Sequence, residues 1–306
     1  MRISIMGAGA VGGYYGAQLV KAGEDVVFVA RGPHREALES GGIQIISDGI
    51  TETVRPINVV GDTKAVGSVD VILFAVKAYD TEVAAEACRF MMGDSTYVVT
   101  VQNGVESVDI LSSVLGGGRV LGGATYFIAS IDSPGVIRQT GSWARIEFAE
   151  PSGERTDRAL AFEKICNAAG IDITLRNDMN LLLWRKFILL ASTSAMTGIT
   201  RQTIGAVRND EVGREIALEC IREAVAVGRA LGVPLGPDIE KETFRFFDLD
   251  TAPEAKASLL VDLERGKPLE LEYLSGALHR LGKKVGVPTP VHSTVYAALR
   301  PFSAGL

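Results

Sequence analysis

The sequence predicts an α/β half built on a parallel, doubly wound sheet with an antiparallel extension, followed by an all-α half. Three observations carry this. Apolar strand-like runs alternate with helical segments through the first 120 or so residues. A glycine-rich turn joins the first such strand to the first helix. Beyond residue 177 strand-like runs disappear and only helical apolar spacing is left. A chain of 306 residues also has room for two domains, at about 150 residues each. The boundary is expected at 177, giving domains 1–177 and 178–306, with no low-complexity linker between them.

Arg2–Met6 is a short β-rich run, and Gly12–Ala22 reads as the helix after it. Asp25–Ala30 (DVVFVA), Val69–Val76 (VDVILFAV) and Tyr97–Val101 (YVVTV) are continuous apolar runs, as strands buried on both faces should be. Thr81–Met91 is a helical piece between them. Such alternation predicts a parallel sheet. Gly122–Ala129, Val136–Thr140 and Ala144–Ala149 are then closely spaced strands, with turns expected at Ser133-Pro134-Gly135 and Gly141-Ser142; they predict the antiparallel extension. Arg155–Ala169 reads as a helix closed by Gly170, and Ile171–Leu175 as a last strand. Helices are expected over Asp178–Ser192, Asp210–Ala230, Pro253–Glu264, Glu270–Val285 and Thr289–Leu299.

Composition excludes several function classes. Thirty-one basic against thirty-seven acidic side chains give a net charge of −6, so nucleic acid is not the expected main partner. Cys88, Cys166 and Cys220 are far apart with no CxxC pair, and His34, His279 and His292 show no metal-ligand spacing. Neither a disulfide framework nor a metal site is expected, and a reducing compartment fits. The N-terminus does not read as a signal peptide, and the longest apolar run, Leu181–Ala191, is broken by Arg185 and Lys186, so no membrane span is expected and the cytoplasm is the expected location. A homodimer through the helical half is allowed for.

The chemistry begins at Gly7-Ala8-Gly9-Ala10-Val11-Gly12, a GxGxxG turn between strand and helix. Gly7 permits the tight turn, Gly9 lets the backbone approach a pyrophosphate, and Gly12 lets helix and strand pack closely. The N–H groups at the helix start, at Ala10 and Val11, face the phosphates. The next strand ends in Ala30-Arg31, with no carboxylate before Glu36 to hold a ribose 2′-hydroxyl. Arg31 instead suits a 2′-phosphate, so NADPH is expected over NADH, with His34 and Arg35 placed to assist. Lys77 and Asn103 each follow a buried strand, at the sheet edge where ligands bind; read alone, each is equally a turn or cap residue. Lys186, in LLLWRKFILL, has Leu182, Leu183, Leu189 and Leu190 as its helical neighbours. Burial there would lower its pKa and suit it to proton donation, although Arg185 is flanked in the same way and spacing does not choose between them.

Together GAGAVGG (7–13), VKAYDT (76–81), VQNGV (101–105), PGVIRQTGS (134–142), WRK (184–186) and SLLVDLERGKPLELEYLSG (258–276) resemble the ketopantoate reductase (2-dehydropantoate 2-reductase) family, in order and over nearly the whole chain. The resemblance implies a Rossmann-type NADP-binding domain followed by a helical domain like the C-terminal part of 6-phosphogluconate dehydrogenase. It implies NADPH-dependent reduction of a small 2-oxo acid, 2-dehydropantoate to pantoate in pantothenate biosynthesis. Lys186 would be the catalytic proton donor, and Glu270 would contact substrate and cofactor and orient Lys186. Lys77 and Asn103 would contact cofactor and substrate, and Ser194 and Ser258 the substrate. Glu272 would be a solvated or structural carboxylate. Three positions depart from the family pattern, where asparagines are replaced by Leu190, Ser194 and Ala255. Losing buried amides makes a pocket more apolar and disfavours a hydroxylated substrate. A related reductase of another 2-oxo acid or ketone, and a non-catalytic NADPH-binding regulator, stay open beside the main reading.

Overall fold

The computed structural model describes residues 1–305, the side chain of Ser142 apart. Two compact units are present, Met1–Leu182 and Leu183–Leu306.

In the first unit, β1 (Arg2–Met6), α1 (Ala10–Lys21), β2 (Asp25–Val29), α2 (Gly32–Gly41), β3 (Ile43–Ser47), β4 (Ile50–Val54), β5 (Asn58–Val60), β6 (Val69–Phe74), α3 (Thr81–Cys88), β7 (Met92–Thr100), α4 (Ser107–Leu115), β8 (Val120–Ser133), β9 (Val136–Ala149), α5 (Asp157–Ala168) and β10 (Asp172–Arg176) follow in order. The strands form one mixed sheet in the order β4-β3-β9-β8-β7-β6-β1-β2-β5, with β10 also paired to β9. Its centre is parallel and Rossmann-type, because β1, β2, β6 and β7 are apolar on both faces and are covered by helices. Register brings the ends of these strands level: Met6 lies opposite Val29 and Phe74, and Phe74 opposite Thr100. The loops after all four strands therefore leave the sheet along one edge.

The antiparallel extension differs from expectation in one detail. β9 is a single strand running through Gly141-Ser142, where a turn was expected. Gly141 adopts φ +74°, and the β8–β9 pairing shifts register between Phe127 and Ala129, so a local irregularity absorbs the glycine without ending the strand. β9 pairs with β3 through its first residues and with β10 through its last. The β3–β4 hairpin was not expected from the apolar pattern, since β4 is an exposed edge strand. Its signal was the Asp48-Gly49 turn, both residues at positive φ.

In the second unit α6 (Met179–Thr200) is followed by α7 (Ile204–Asn209), α8 (Glu211–Ala230), α9 (Ile239–Arg245), α10 (Ser258–Glu264), α11 (Ser275–Val285) and α12 (Pro290–Leu299). α6 begins in the first unit, where Leu182 packs with Ala124 and Ala149. The division between units thus falls inside this helix, while the sequence places it at 177, just ahead of it. Two expected helices are shorter than their apolar spacing suggested. Before α10 the chain bonds to α7 instead of to itself, through Gly205 N–H to the Pro253 carbonyl at 2.8 Å and Ile204 N–H to that of Ala255 at 2.9 Å. Glu270–Val285 is broken at Leu274, leaving a short 3₁₀ turn, Glu270–Tyr273, ahead of α11. Among the described residues no helix is long and apolar enough to cross a membrane.

Candidate active site

The loop from β1 to α1 shows why three glycines stand there. Gly7 has φ +97°, a region costly for any side chain, and a Cβ on it would lie 2.9 Å from the Val76 backbone nitrogen. A Cβ on Gly12 would lie 2.2 Å from the Gly7 carbonyl oxygen. At Gly9 the same Cβ would meet nothing within 4 Å, so this backbone faces open space. Gly9 is also the N-cap of α1, without a side-chain cap and with no carboxylate in the first turn. The first N–H groups, at Ala10 and Val11, therefore have no intrahelical acceptor, and the positive end of the helix dipole is not neutralised by an acidic neighbour. That combination fits the pyrophosphate of a dinucleotide.

Along the same sheet edge, Arg31 caps α2 with an exposed side chain just after β2. His34 and Arg35, expected to assist it, are engaged elsewhere. His34 Nε2 lies 2.8 Å from the Ala8 carbonyl oxygen, and its Nδ1 accepts from Gly135 N–H at 3.1 Å. Arg35 pairs with Glu39 at 2.6 Å. Lys77 follows β6 and precedes a 3₁₀ turn, Ala78–Asp80, and Asn103 follows β7. Between these two segments stands Gln102, a buried residue to which the sequence reading assigned no role. Its side-chain amide donates to the Val76 carbonyl at 3.1 Å and to Thr81 Oγ1 at 2.9 Å, while its Oε1 accepts from Thr100 Oγ1 at 3.1 Å. It ties the segment carrying Asn103 to the segment carrying Lys77. A polar residue directly after a buried strand was its only sequence signal.

In the helical unit the structure separates Arg185 from Lys186. Arg185 is exposed and pairs with Glu242 at 3.2 Å. Lys186 is half-buried, and loss of hydration pushes its ammonium down to about 8, partly offset by the nearby Glu270 carboxylate. Glu270 is 5% exposed and sits at the start of the 3₁₀ turn. Glu272, on the same turn, points to a different set of partners: it accepts from Tyr296 Oη at 2.5 Å and pairs with Arg280. It is a structural carboxylate.

Ser194 lies two turns along α6 from Lys186, with Leu190 between them. Its hydroxyl is buried and makes no hydrogen bond within the protein. Such a group costs roughly 1–3 kcal/mol unless something else satisfies it. Ser258 is exposed in the first turn of α10, and Ala255 is half-buried in the preceding segment. Lys186, Glu270, Ser194 and Ser258 thus belong to the helical unit, and the glycine loop, Arg31, Lys77 and Asn103 to the sheet unit.

Known proteins match this one over nearly its whole chain. Residues 3–153 match the family model described as Ketopantoate reductase PanE/ApbA, and residues 178–303 match its C-terminal counterpart. A 2-dehydropantoate 2-reductase of Mesorhizobium japonicum is 34% identical, over 98% of this chain and 97% of the relative. An uncharacterized oxidoreductase of Bacillus subtilis, YkpB, is 30% identical over 99% of each. Among solved structures, a PanE/ApbA family ketopantoate reductase from Ralstonia eutropha superposes with a TM-score of 0.90 at 32% identity, covering 99% of this chain and 98% of that one. D-mandelate dehydrogenase with NADH and anilino(oxo)acetate has the same fold, with a TM-score of 0.90 at 21% identity over 99% and 98% of the two chains.

Proposed function

The chain belongs to the ketopantoate reductase family of NADPH-dependent oxidoreductases acting on a CH–OH group, and we propose that it reduces 2-dehydropantoate to pantoate on the route to pantothenate. The observation that carries this reading is Lys186: its ammonium is pushed down to about 8, with the buried Glu270 carboxylate nearby. A lysine of that acidity is a competent proton donor near neutral pH.

NADPH supplies the hydride when bound. The Gly7–Gly12 loop would hold its pyrophosphate through the N–H groups at the start of α1, and Arg31 would take the 2′-phosphate. Lys77 and Asn103, on the sheet unit, would hold the nicotinamide ribose. Lys186 Nζ donates a hydrogen bond to the substrate carbonyl oxygen, stabilises the negative charge that develops there, and transfers its proton to it. Its partial exposure leaves a path for reprotonation from water. Glu270 accepts from Lys186 and from the substrate, which fixes the donor's direction. Ser258 and Ser194 bind the substrate, the first at its carboxylate.

A second reading is favoured by Leu190 and Ser194 themselves. They leave α6, within two turns of Lys186, with an apolar side chain and one short hydroxyl, which suits a 2-oxo acid lacking the hydroxyl of 2-dehydropantoate. Both readings are tested by following NADPH oxidation with 2-dehydropantoate and a series of unhydroxylated 2-oxo acids. The first expects the highest kcat/KM for 2-dehydropantoate. A tenfold preference for an unhydroxylated acid would establish the second, and no turnover with any 2-oxo acid would sink both.

A further inference from the structure

His34 joins three segments that are distant in sequence. It stands in the first turn of α2, half-buried, with one ring nitrogen against the Ala8 carbonyl oxygen at 2.8 Å and the other against the Gly135 N–H at 3.1 Å. The partners settle the tautomer. A carbonyl only accepts, so Nε2 carries the hydrogen; a backbone N–H only donates, so Nδ1 is the acceptor. Gly135, in the β8–β9 turn, is held on its other side as well, its carbonyl accepting from Gln44 N–H at 2.9 Å. The β9 strand that follows supports the same loop: a Cβ on Gly13 would lie 2.5 Å from Ile137 Cδ1 and 3.2 Å from the Ala8 oxygen. Ala8 is therefore fixed from behind by an imidazole anchored to the hairpin, while Gly9, next in the chain, faces open space.

We infer that His34 is a positioning residue for dinucleotide binding, holding the Ala8 carbonyl so that the N–H groups after it stay aimed at the phosphates. This rests on the reading of the Gly7–Gly12 loop as the pyrophosphate site. Acting on the pyrophosphate arm, His34 affects NADPH and NADH alike, unlike a residue that touches the 2′-phosphate.

The test is calorimetric titration of the full-length protein with NADPH and with NADH, accompanied by melting temperatures. His34→Ala raises both dissociation constants about tenfold, with their ratio unchanged within twofold. His34→Gln places a donor near the Nε2 position and retains most of the affinity. His34→Asn places its carbonyl near the Nδ1 position, keeps only the Gly135 contact, and behaves like the alanine variant. A purely structural role would instead lower affinity in step with melting temperature across all three. That outcome, unchanged affinity in His34→Ala, or a loss confined to NADPH would overturn the inference while leaving the loop reading intact. If the wild-type protein bound neither dinucleotide, the loop reading would fall, and this inference with it.

Discussion

Arg185 and Lys186 are adjacent on α6 but lie in opposite environments: Arg185 reaches solvent and pairs with Glu242 at 3.2 Å, while Lys186 is half-buried near Glu270. Only the second has the burial and lowered pKa that the proposed proton donor requires. Lys186→Ala should lower kcat by about 10²–10⁴, the range of a general acid, with the dissociation constant for NADPH changed less than threefold. Arg185→Ala should leave kcat within about twofold, because an exposed ion pair contributes little. Steady-state rates and calorimetric titration of both variants check this; near-wild-type turnover of the Lys186 variant would remove it from the mechanism.

With Lys186 as the proposed proton donor, reduction should follow its charge state. Its folded-state pKa is lowered to about 8, so the ammonium needed as acid is present below that pH and lost above it. The kcat/KM for reduction should fall about tenfold per pH unit above about 8. Glu270 opposes the lowering. In Glu270→Gln the descending limb should therefore move to lower pH. A limb that stayed in place would show that the two groups are not coupled.

Arg31 stands exposed just after β2, whose end carries no carboxylate in the chain before Glu36. A hydrogen-bonded contact with a charged phosphate is worth about 1.5–3 kcal/mol. Arg31→Ala should accordingly weaken NADPH binding about 10- to 100-fold and leave NADH within about twofold. An unchanged NADPH/NADH ratio would refute the assignment.

Gln102→Ala should destabilise the first unit by about 1–3 kcal/mol, since it removes three side-chain hydrogen bonds in and beside a buried site. It should also raise KM, because the segments bearing Lys77 and Asn103 are no longer tied together. Urea denaturation and steady-state kinetics on the same preparation measure the two effects.

His292 is fully buried between Ser275 Oγ and the Cys220 carbonyl, each at 3.1 Å, and burial pushes its pKa down to about 4 from an ordinary value near 6.5. Between those values the unfolded chain binds a proton that the folded chain refuses. Stability is thus present above pH 6.5 and is lost as pH falls toward 4, by at most about 1.4 kcal/mol per pH unit. His292→Gln should lack this contribution, and the difference between its stability–pH curve and the wild-type curve measures it. Parallel curves would contradict the buried neutral imidazole.

The sequence alone determined the elements whose pattern is local. Continuous apolar runs marked the buried strands β2, β6 and β7, and the spacing of Gly7, Gly9 and Gly12 marked the turn where backbone and phosphate would meet. The shift from strand-like to helical spacing near residue 177 separated two architectures. The tertiary structure decided what depends on neighbours distant in the chain. Solvent exposure separated Arg185 from Lys186, which are equivalent by spacing. Hydrogen bonds across 26 and 101 residues turned His34 toward Ala8 and Gly135 and away from any assisting role beside Arg31. Leu274 broke an apparently continuous helix and set Glu270 on a short turn. The reason is physical: periodicity reports which face of an element is apolar, whereas the acidity and partners of a polar side chain depend on the desolvation and hydrogen bonds that other elements bring to it.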